Sequence, residues 1–154
     1  MILSIVSCGQ KEDFNSYINS YYSFSVDTIS VKGLKNIQRN SQIIDSRSYV
    51  EYSTSKIKGA VFVDYKDPKL TELNLNKTDT IVVYCTIGYR SEKIAEKLKK
   101  EGYLNVYNLY GGIIQWANKK YPVYNPLGIQ TYYIHTYDKS WSKWLTNPNT
   151  EATY

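Results

Sequence analysis

Four short apolar runs constrain this chain most: Gln42-Ile43-Ile44-Asp45, Ala60-Val61-Phe62-Val63, Ile81-Val82-Val83-Tyr84 and Val106-Tyr107-Asn108-Leu109. They are β-branched, nearly continuous in apolar character and too short for helices, which is how strands buried on both faces read. Ile29-Ser30-Val31 reads as a further short strand. Between the runs the period changes. Leu34 and Ile37 suit a short helix, and Tyr49 to Tyr52 a single helical turn. Ser91 to Glu101 carries a stripe of Ile94, Ala95 and Leu98, with Glu96 placed four residues before Lys100 and Gly102 as a stop. Gly111-Gly112 is a turn before a last helix, Ile113 to Lys119. Strands that alternate with helices predict an α/β fold, a mainly parallel sheet of about five strands with helices on both faces.

At 154 residues the chain is one ordinary domain with tails. The spacing divides it into a segment 1–25, a domain 26–124 and an extension 125–154. In that extension Thr131 to Thr136 is strand-like, and Trp141 and Trp144 lie three apart as on one helical face. It is expected to pack back on the domain, with a partner surface or a lid near the active loop as the functional option. The formal charge of +5 favours small anionic substrates, but there is no run of five Lys/Arg and no aromatic RNA signature, so nucleic acid is not expected. Two cysteines, Cys8 and Cys85, make no disulfide framework, and with one histidine, His135, the chain is poorly supplied for zinc. No metal and no cofactor is implied. A lone histidine in a strand-like run reads as structural.

The chemistry is concentrated in Cys85-Thr86-Ile87-Gly88-Tyr89-Arg90-Ser91. A cysteine ends a buried strand, and five residues later an arginine opens a helix. Ligands of open α/β sheets bind at the carboxyl ends of strands. A loop curling from strand to helix turns its N–H groups inward as an anion nest, and the helix terminus adds partial positive charge. A thiolate there is stabilised. Gly88 suits a turn needing positive φ, and Arg90 offers a fixed charge and a forked donor for an oxyanion. Periodicity alone also allows an inert, buried cysteine.

The stretch resembles the rhodanese family over roughly a hundred residues. Cys85 to Arg90 looks like its six-residue active loop, which begins with the nucleophilic cysteine. Val106-Tyr107-Asn108-Leu109-Tyr110-Gly111-Gly112-Ile113-Ile114-Gln115-Trp116 matches its second signature, and Tyr121-Pro122-Val123 its usual close. Upstream, Asp45-Ser46-Arg47, Glu51-Tyr52 and Ile57-Lys58-Gly59-Ala60 stand at the family's spacing. Lys56 and Lys58 flank Ile57 where the family often has His and Pro. They read as a solvated turn, or as positive potential drawing anions such as thiosulfate. The resemblance implies a sulfurtransferase with Cys85 as persulfide carrier, backbone amides of Thr86, Ile87, Gly88, Tyr89 and Arg90 as the cradle, and the Arg90 side chain holding an anionic donor. The partners implied are that donor and a thiol or cyanide acceptor, with a protein-borne acceptor as a further option. Two alternatives remain: a non-enzymatic binding module, and a phosphatase or arsenate reductase, whose loop is one residue longer to take a phosphate.

The N-terminus, Ile5-Val6-Ser7-Cys8, is similar to a bacterial lipobox, with Cys8 as the lipidated residue. Only seven residues precede Cys8, none of them basic, so a start further upstream is part of that reading. It implies a lipid anchor in the cell envelope facing the periplasm, with Gly9 to Ser25 as a polar tether; the competing location is the cytoplasm.

Overall fold

Residues 13–154 are described by a computed structural model of the chain. Cys8 and the lipobox-like segment lie outside the described residues. The chain runs through α1 (Phe14–Asn19), β1 (Thr28–Ile29), α2 (Val31–Ile37), β2 (Gln42–Asp45), α3 (Tyr49–Thr54), β3 (Ala60–Phe62), β4 (Thr80–Tyr84), α4 (Tyr89–Lys100), β5 (Asn105–Leu109) and α5 (Gly112–Asn118). Beyond these come β6 (Val123–Tyr124), β7 (Gln130–Thr131), β8 (Tyr133–His135) and β9 (Glu151–Thr153), with a 3-10 segment at Lys139–Trp144.

The first five strands form one sheet in the order β1-β5-β4-β2-β3, every neighbour parallel. β4 is central, with Ile43 opposite Val82 and Val82 opposite Tyr107. Successive side chains on a strand point to opposite faces, so the apolar runs are divided between two cores. Val82 and Tyr84 meet Val31, Leu34, Ile113 and Trp116 from α2 and α5. Ile81 and Val83 meet Ile94, Ala95 and Leu98 from α4. The expected parallel α/β sheet with helices on both faces is therefore the fold that forms.

Two local expectations change. The first strand ends at Ile29, because Ser30 takes the N-cap position of α2 and its hydroxyl accepts from the Gly33 N–H at 3.0 Å. Val31, read as strand, thus opens a helix; the capping hydroxyl supplies a buried-end partner that a strand would not use. The second change is larger. Residues 13–25 were expected within a loose tether, yet α1 is capped by Asp13, and Ile18 and Tyr22 are buried. The segment's lack of a sustained period reflects one short helix followed by an extended stretch. That stretch is fastened to α4: the Ser23 and Ser25 N–H groups donate to the Glu92 carboxylate, each at 2.9 Å.

The C-terminal residues close on the same region. Ile134 of β8 is fully buried in the core shared with α2 and α5, and β8 pairs with β9 in parallel. A third apolar cluster joins α1 and the C-terminal extension to the loop after β4. It contains Ile18 of α1, Ile87, Ile114 and Trp144, with Phe14, Tyr17, Tyr110 and Trp141 packed around them. Burying each of the three isoleucines is worth roughly 1.5–3 kcal/mol, enough to hold short terminal segments down. Residues 14–18 and 141–144 are thereby brought to the carboxyl end of β4.

Candidate active site

The polypeptide leaves β4 at Tyr84 and makes its turn within Cys85 to Gly88 before α4 begins. Gly88 is the N-cap of α4 with φ +116°, a conformation that L side chains rarely adopt. A Cβ there would also overlap the ring of Tyr22. In this turn the Gly88 N–H donates to Cys85 Sγ at 3.1 Å. The sulfur, on a residue only 1% exposed, thus sits at the start of a 12-residue helix and faces its positive end.

Neighbouring elements fix the turn from three sides. From the N-terminal segment, Tyr22 Oη donates to the Ile87 carbonyl at 2.6 Å and accepts from the Gly111 N–H at 3.0 Å. Burial raises the Tyr22 hydroxyl far above its ordinary range, so it stays protonated and keeps its donor role. From β5, Asn108 Nδ2 donates to the Gly88 carbonyl at 2.9 Å. From α5, the Ile113 and Ile114 N–H groups donate to the Cys85 and Thr86 carbonyls at 3.0 and 3.3 Å. Gly112 has to be glycine for this approach, because a Cβ would run into those two carbonyls. The Gly111-Gly112 turn therefore lies directly against the reactive loop and helps to hold it.

Beneath the loop lies Glu51. It is the third residue of α3 and forms a capping box with Ser48, whose N–H donates to Glu51 Oε2 at 3.0 Å. Arg90 Nη1 and Nη2 donate to the two carboxylate oxygens, both at 2.7 Å, and Thr86 Oγ1 donates to Oε1 at 2.8 Å. Burial acts to raise the Glu51 carboxyl, but the Arg90 fork, with help from Ser48 and Arg47, lowers it to about 2. Burial acts to lower Arg90, and Glu51 together with the charge of Cys85 holds it above its ordinary value. The pair is fully ionised at neutral pH.

The expected site residues therefore separate. Cys85 and the Gly88 N–H come together. The Ile87 side chain is buried in the third apolar cluster, the Thr86 hydroxyl goes to Glu51, and Tyr89 stands half exposed at the cavity wall. Arg90 lines the cavity as well, but its fork is taken up by Glu51 rather than held out for a donor. The sequence placed Glu51 at the family's spacing without showing this pairing. A second ion pair, Arg47 with Asp45 at 2.7 Å, is buried below and linked to Tyr84, whose hydroxyl donates to Asp45 at 2.6 Å. Lys56 bonds the Tyr52 hydroxyl at 2.6 Å, and Lys58 lies over the Tyr124 ring; neither lines the cavity. His135 Nδ1 accepts from the Tyr137 N–H at 3.1 Å, a turn contact.

The cavity above Cys85 has a volume of about 600 Å³. Its walls include Tyr21, Tyr65, Tyr89, Tyr137 and Trp141, none of which sequence reasoning had assigned to substrate except Tyr89. Among the described residues no cluster of three metal-ligating side chains occurs, and no helix is long and apolar enough to cross a membrane.

A family profile described as the Rhodanese-like domain matches residues 30–119. Among curated proteins, the tRNA uridine(34) hydroxylase of Prochlorococcus marinus (strain MIT 9312) is 33% identical over 90 residues, covering 52% of this chain and 29% of that protein. The putative sulfur carrier protein YrkF of Bacillus subtilis is 31% identical over 98 residues, covering 62% of this chain and 53% of YrkF. The chain thus spans only part of the length of these relatives. Among solved structures, a rhodanese-related protein from Thermoplasma volcanium superposes with a TM-score of 0.56 at 26% identity, covering 63% of this chain and 96% of that one. A thiosulfate sulfurtransferase from Pseudomonas aeruginosa shares the fold, with a TM-score of 0.60 at 21% identity over 78% of this chain and 23% of its own.

Proposed function

Since the chain belongs to the rhodanese-like family, we propose that it is a sulfurtransferase that carries sulfane sulfur as a persulfide on Cys85. The observation that carries this reading is the 3.1 Å hydrogen bond from the Gly88 N–H to Cys85 Sγ at the N-terminus of α4, on the wall of an open cavity. An inert core cysteine has no use for a backbone donor aimed at its sulfur. Here the donor and the helix end favour negative charge on sulfur, as thiolate or as persulfide.

In the first half-reaction the Cys85 thiolate attacks the outer sulfur of thiosulfate. A Cys85 S–S bond forms, the S–S bond of thiosulfate breaks, and sulfite leaves with the electron pair. In the second, an acceptor thiol or cyanide takes the outer sulfur and the pair returns to Cys85. The Glu51–Arg90–Thr86 network contributes by holding the loop in one shape through both steps. The loop has four residues between Cys85 and Arg90, one fewer than the phosphatase-like loop, which favours sulfur over a bulkier phosphate.

Mass spectrometry of the intact protein after incubation with thiosulfate tests the reading. The expected result is a gain of one sulfur, about 32 Da, mapped to Cys85 and removed by cyanide with release of thiocyanate. No gain on Cys85, with folded protein, would leave the domain as a binding module.

A further inference from the structure

The cavity is far larger than the reaction requires. Thiosulfate and cyanide have a few atoms each, whereas about 600 Å³ lies within the range of about 300–1,000 Å³ typical of pockets that enclose whole organic ligands. Five of its twelve lining residues are aromatic, and these come from four separate parts of the chain. Tyr21 belongs to the N-terminal segment, Tyr65 follows β3, and Tyr89 opens α4. Tyr137 and Trp141 belong to the C-terminal extension. Tyr137 and Trp141 pack with ring centroids 5.2 Å apart, and Tyr21 meets Trp141 and Tyr89 at 6.1 and 6.5 Å. Half-exposed rings held in fixed geometry offer flat apolar surface at little entropic cost.

The charges of this wall are balanced. Arg90 is paired with Glu51, and its guanidinium lies 5.0 Å from the Tyr137 ring centroid. Lys66 and Asp64 stand on the same wall with opposite charge. A pocket made for a small dianion alone would present unpaired cations instead of rings.

Resting on the sulfurtransferase reading, we infer that the cavity binds the body of the sulfur acceptor, a small organic thiol with a planar apolar group, against the ring cluster of Trp141, Tyr137 and Tyr21. Its thiol is directed at the persulfide of Cys85. The acceptor R–SH gives up its proton and its sulfur bonds to the outer sulfur of Cys85–S–S⁻. The inner S–S bond breaks, the electron pair returns to Cys85 Sγ, which takes the proton, and R–S–S⁻ leaves. Sulfane sulfur moves with no other oxidant or reductant. The segment that carries Tyr21 and the C-terminal extension act as specificity elements in this arrangement.

The experiment compares two unhindered alkyl thiols, benzyl mercaptan and 2-mercaptoethanol, as acceptors for the full-length, persulfide-loaded protein. Each rate is normalised to the same thiol's reaction with a small free persulfide. The expected kcat/KM for benzyl mercaptan exceeds that for 2-mercaptoethanol by about tenfold, and the preference falls about tenfold in Trp141→Ala. Tyr137→Leu, at a more exposed ring, should lower it in the same direction without a folding defect. Equal normalised rates in the wild type, or a preference that survives both substitutions, overturn the inference even while Cys85 transfers sulfur to cyanide. If Cys85 takes up no sulfur, the sulfurtransferase reading fails separately. Binding of benzyl mercaptan to Cys85→Ser, followed by tryptophan fluorescence, then decides the pocket: saturable binding supports it and absence of binding overturns it.

Discussion

The Glu51–Arg90 pair predicts a particular coupling between stability and pH. Glu51 is 2% exposed and accepts from Arg90, Thr86 and Ser48, so Glu51→Gln leaves a buried guanidinium without its counter-charge. Holding the carboxyl at about 2 rather than the ordinary 4.5 corresponds to about 3 kcal/mol in favour of the charged, folded form. That magnitude agrees with the roughly 3–5 kcal/mol lost when one partner of a buried pair is removed. The folded pKa is depressed, so this contribution is complete above about pH 4.5 and disappears as pH falls towards about 2.

Urea unfolding of the wild type and of Glu51→Gln should therefore differ by about 3 kcal/mol at pH 7. The gap should narrow steadily through pH 4 and 3 and nearly close by pH 2, where Glu51 of the folded wild type is about half protonated. Arg90→Ala should reproduce the same closing gap, because it removes the other half of the pair. A difference below about 1 kcal/mol at pH 7 would show that the pair is solvated and that its geometry contributes little. A gap that is the same at pH 7 and pH 2.5 would mean that packing, not charge, is what Glu51 supplies.

Other outcomes follow from the loop itself. Cys85→Ser should abolish sulfur uptake by mass while melting within a few degrees of the wild type, since the change is small; sulfur uptake in that variant would end the mechanism. Gly88→Ala should cost at least about 2 kcal/mol and remove sulfur uptake, because φ is +116° and Tyr22 occupies the space; a wild-type melting curve would refute the strain argument. Tyr22→Phe leaves the Gly111 N–H and the Ile87 carbonyl without their partner, so unfolding by urea should show a loss of about 1–3 kcal/mol. If Cys8 is acylated, protein expressed from its native locus should fractionate with membranes and carry lipid on Cys8; soluble protein with an intact Cys8 thiol would exclude the anchor.

The parts of this molecule that could be read from sequence are those where one physical rule acts without competition. The strand at Ile81 to Tyr84 is buried on both faces, so its apolar run has no polar interruption, and the two cores it serves are visible in advance as one continuous stretch. Ile94, Ala95 and Leu98 mark α4 because only one face of that helix meets the sheet. At Ser30 two rules compete. Ile29 and Val31 favour a strand, but the hydroxyl between them caps a helix, and the cap decides which side of Ser30 is extended. The N-terminal segment failed to show itself for a related reason. Ile18 and Tyr22 are the buried residues of residues 13–25, one on a helix of under two turns and one beyond it, so no periodicity can build up.

The same distinction explains why the reactive loop was legible and its surroundings were not. Cys85, Gly88 and Arg90 are separated by fixed, short chain distances, and a strand followed by a helix leaves the loop few shapes to take. What Arg90 does there depends on Glu51, thirty-nine residues earlier, whose carboxylate reaches the fork only because β2 and β4 are adjacent in the sheet. An unpaired arginine and a paired one look identical in sequence, yet the first would attract a dianion and the second mainly fixes a backbone. Trp141 and Tyr21 are further still from Cys85 along the chain and sit in segments without a strong period. Their 6.1 Å ring contact arises from Ile18, Ile87, Ile114 and Trp144 drawing α1 and the C-terminal extension together. The proposed specificity of the pocket thus depends on how residues 13–25 and the C-terminal extension are buried. Variants that loosen that cluster, such as Ile18→Ala, should weaken selection among acceptors more than sulfur uptake at Cys85, because the loop, although Ile87 sits in the cluster, is also held by Asn108, by the Ile113 and Ile114 N–H groups and by Glu51.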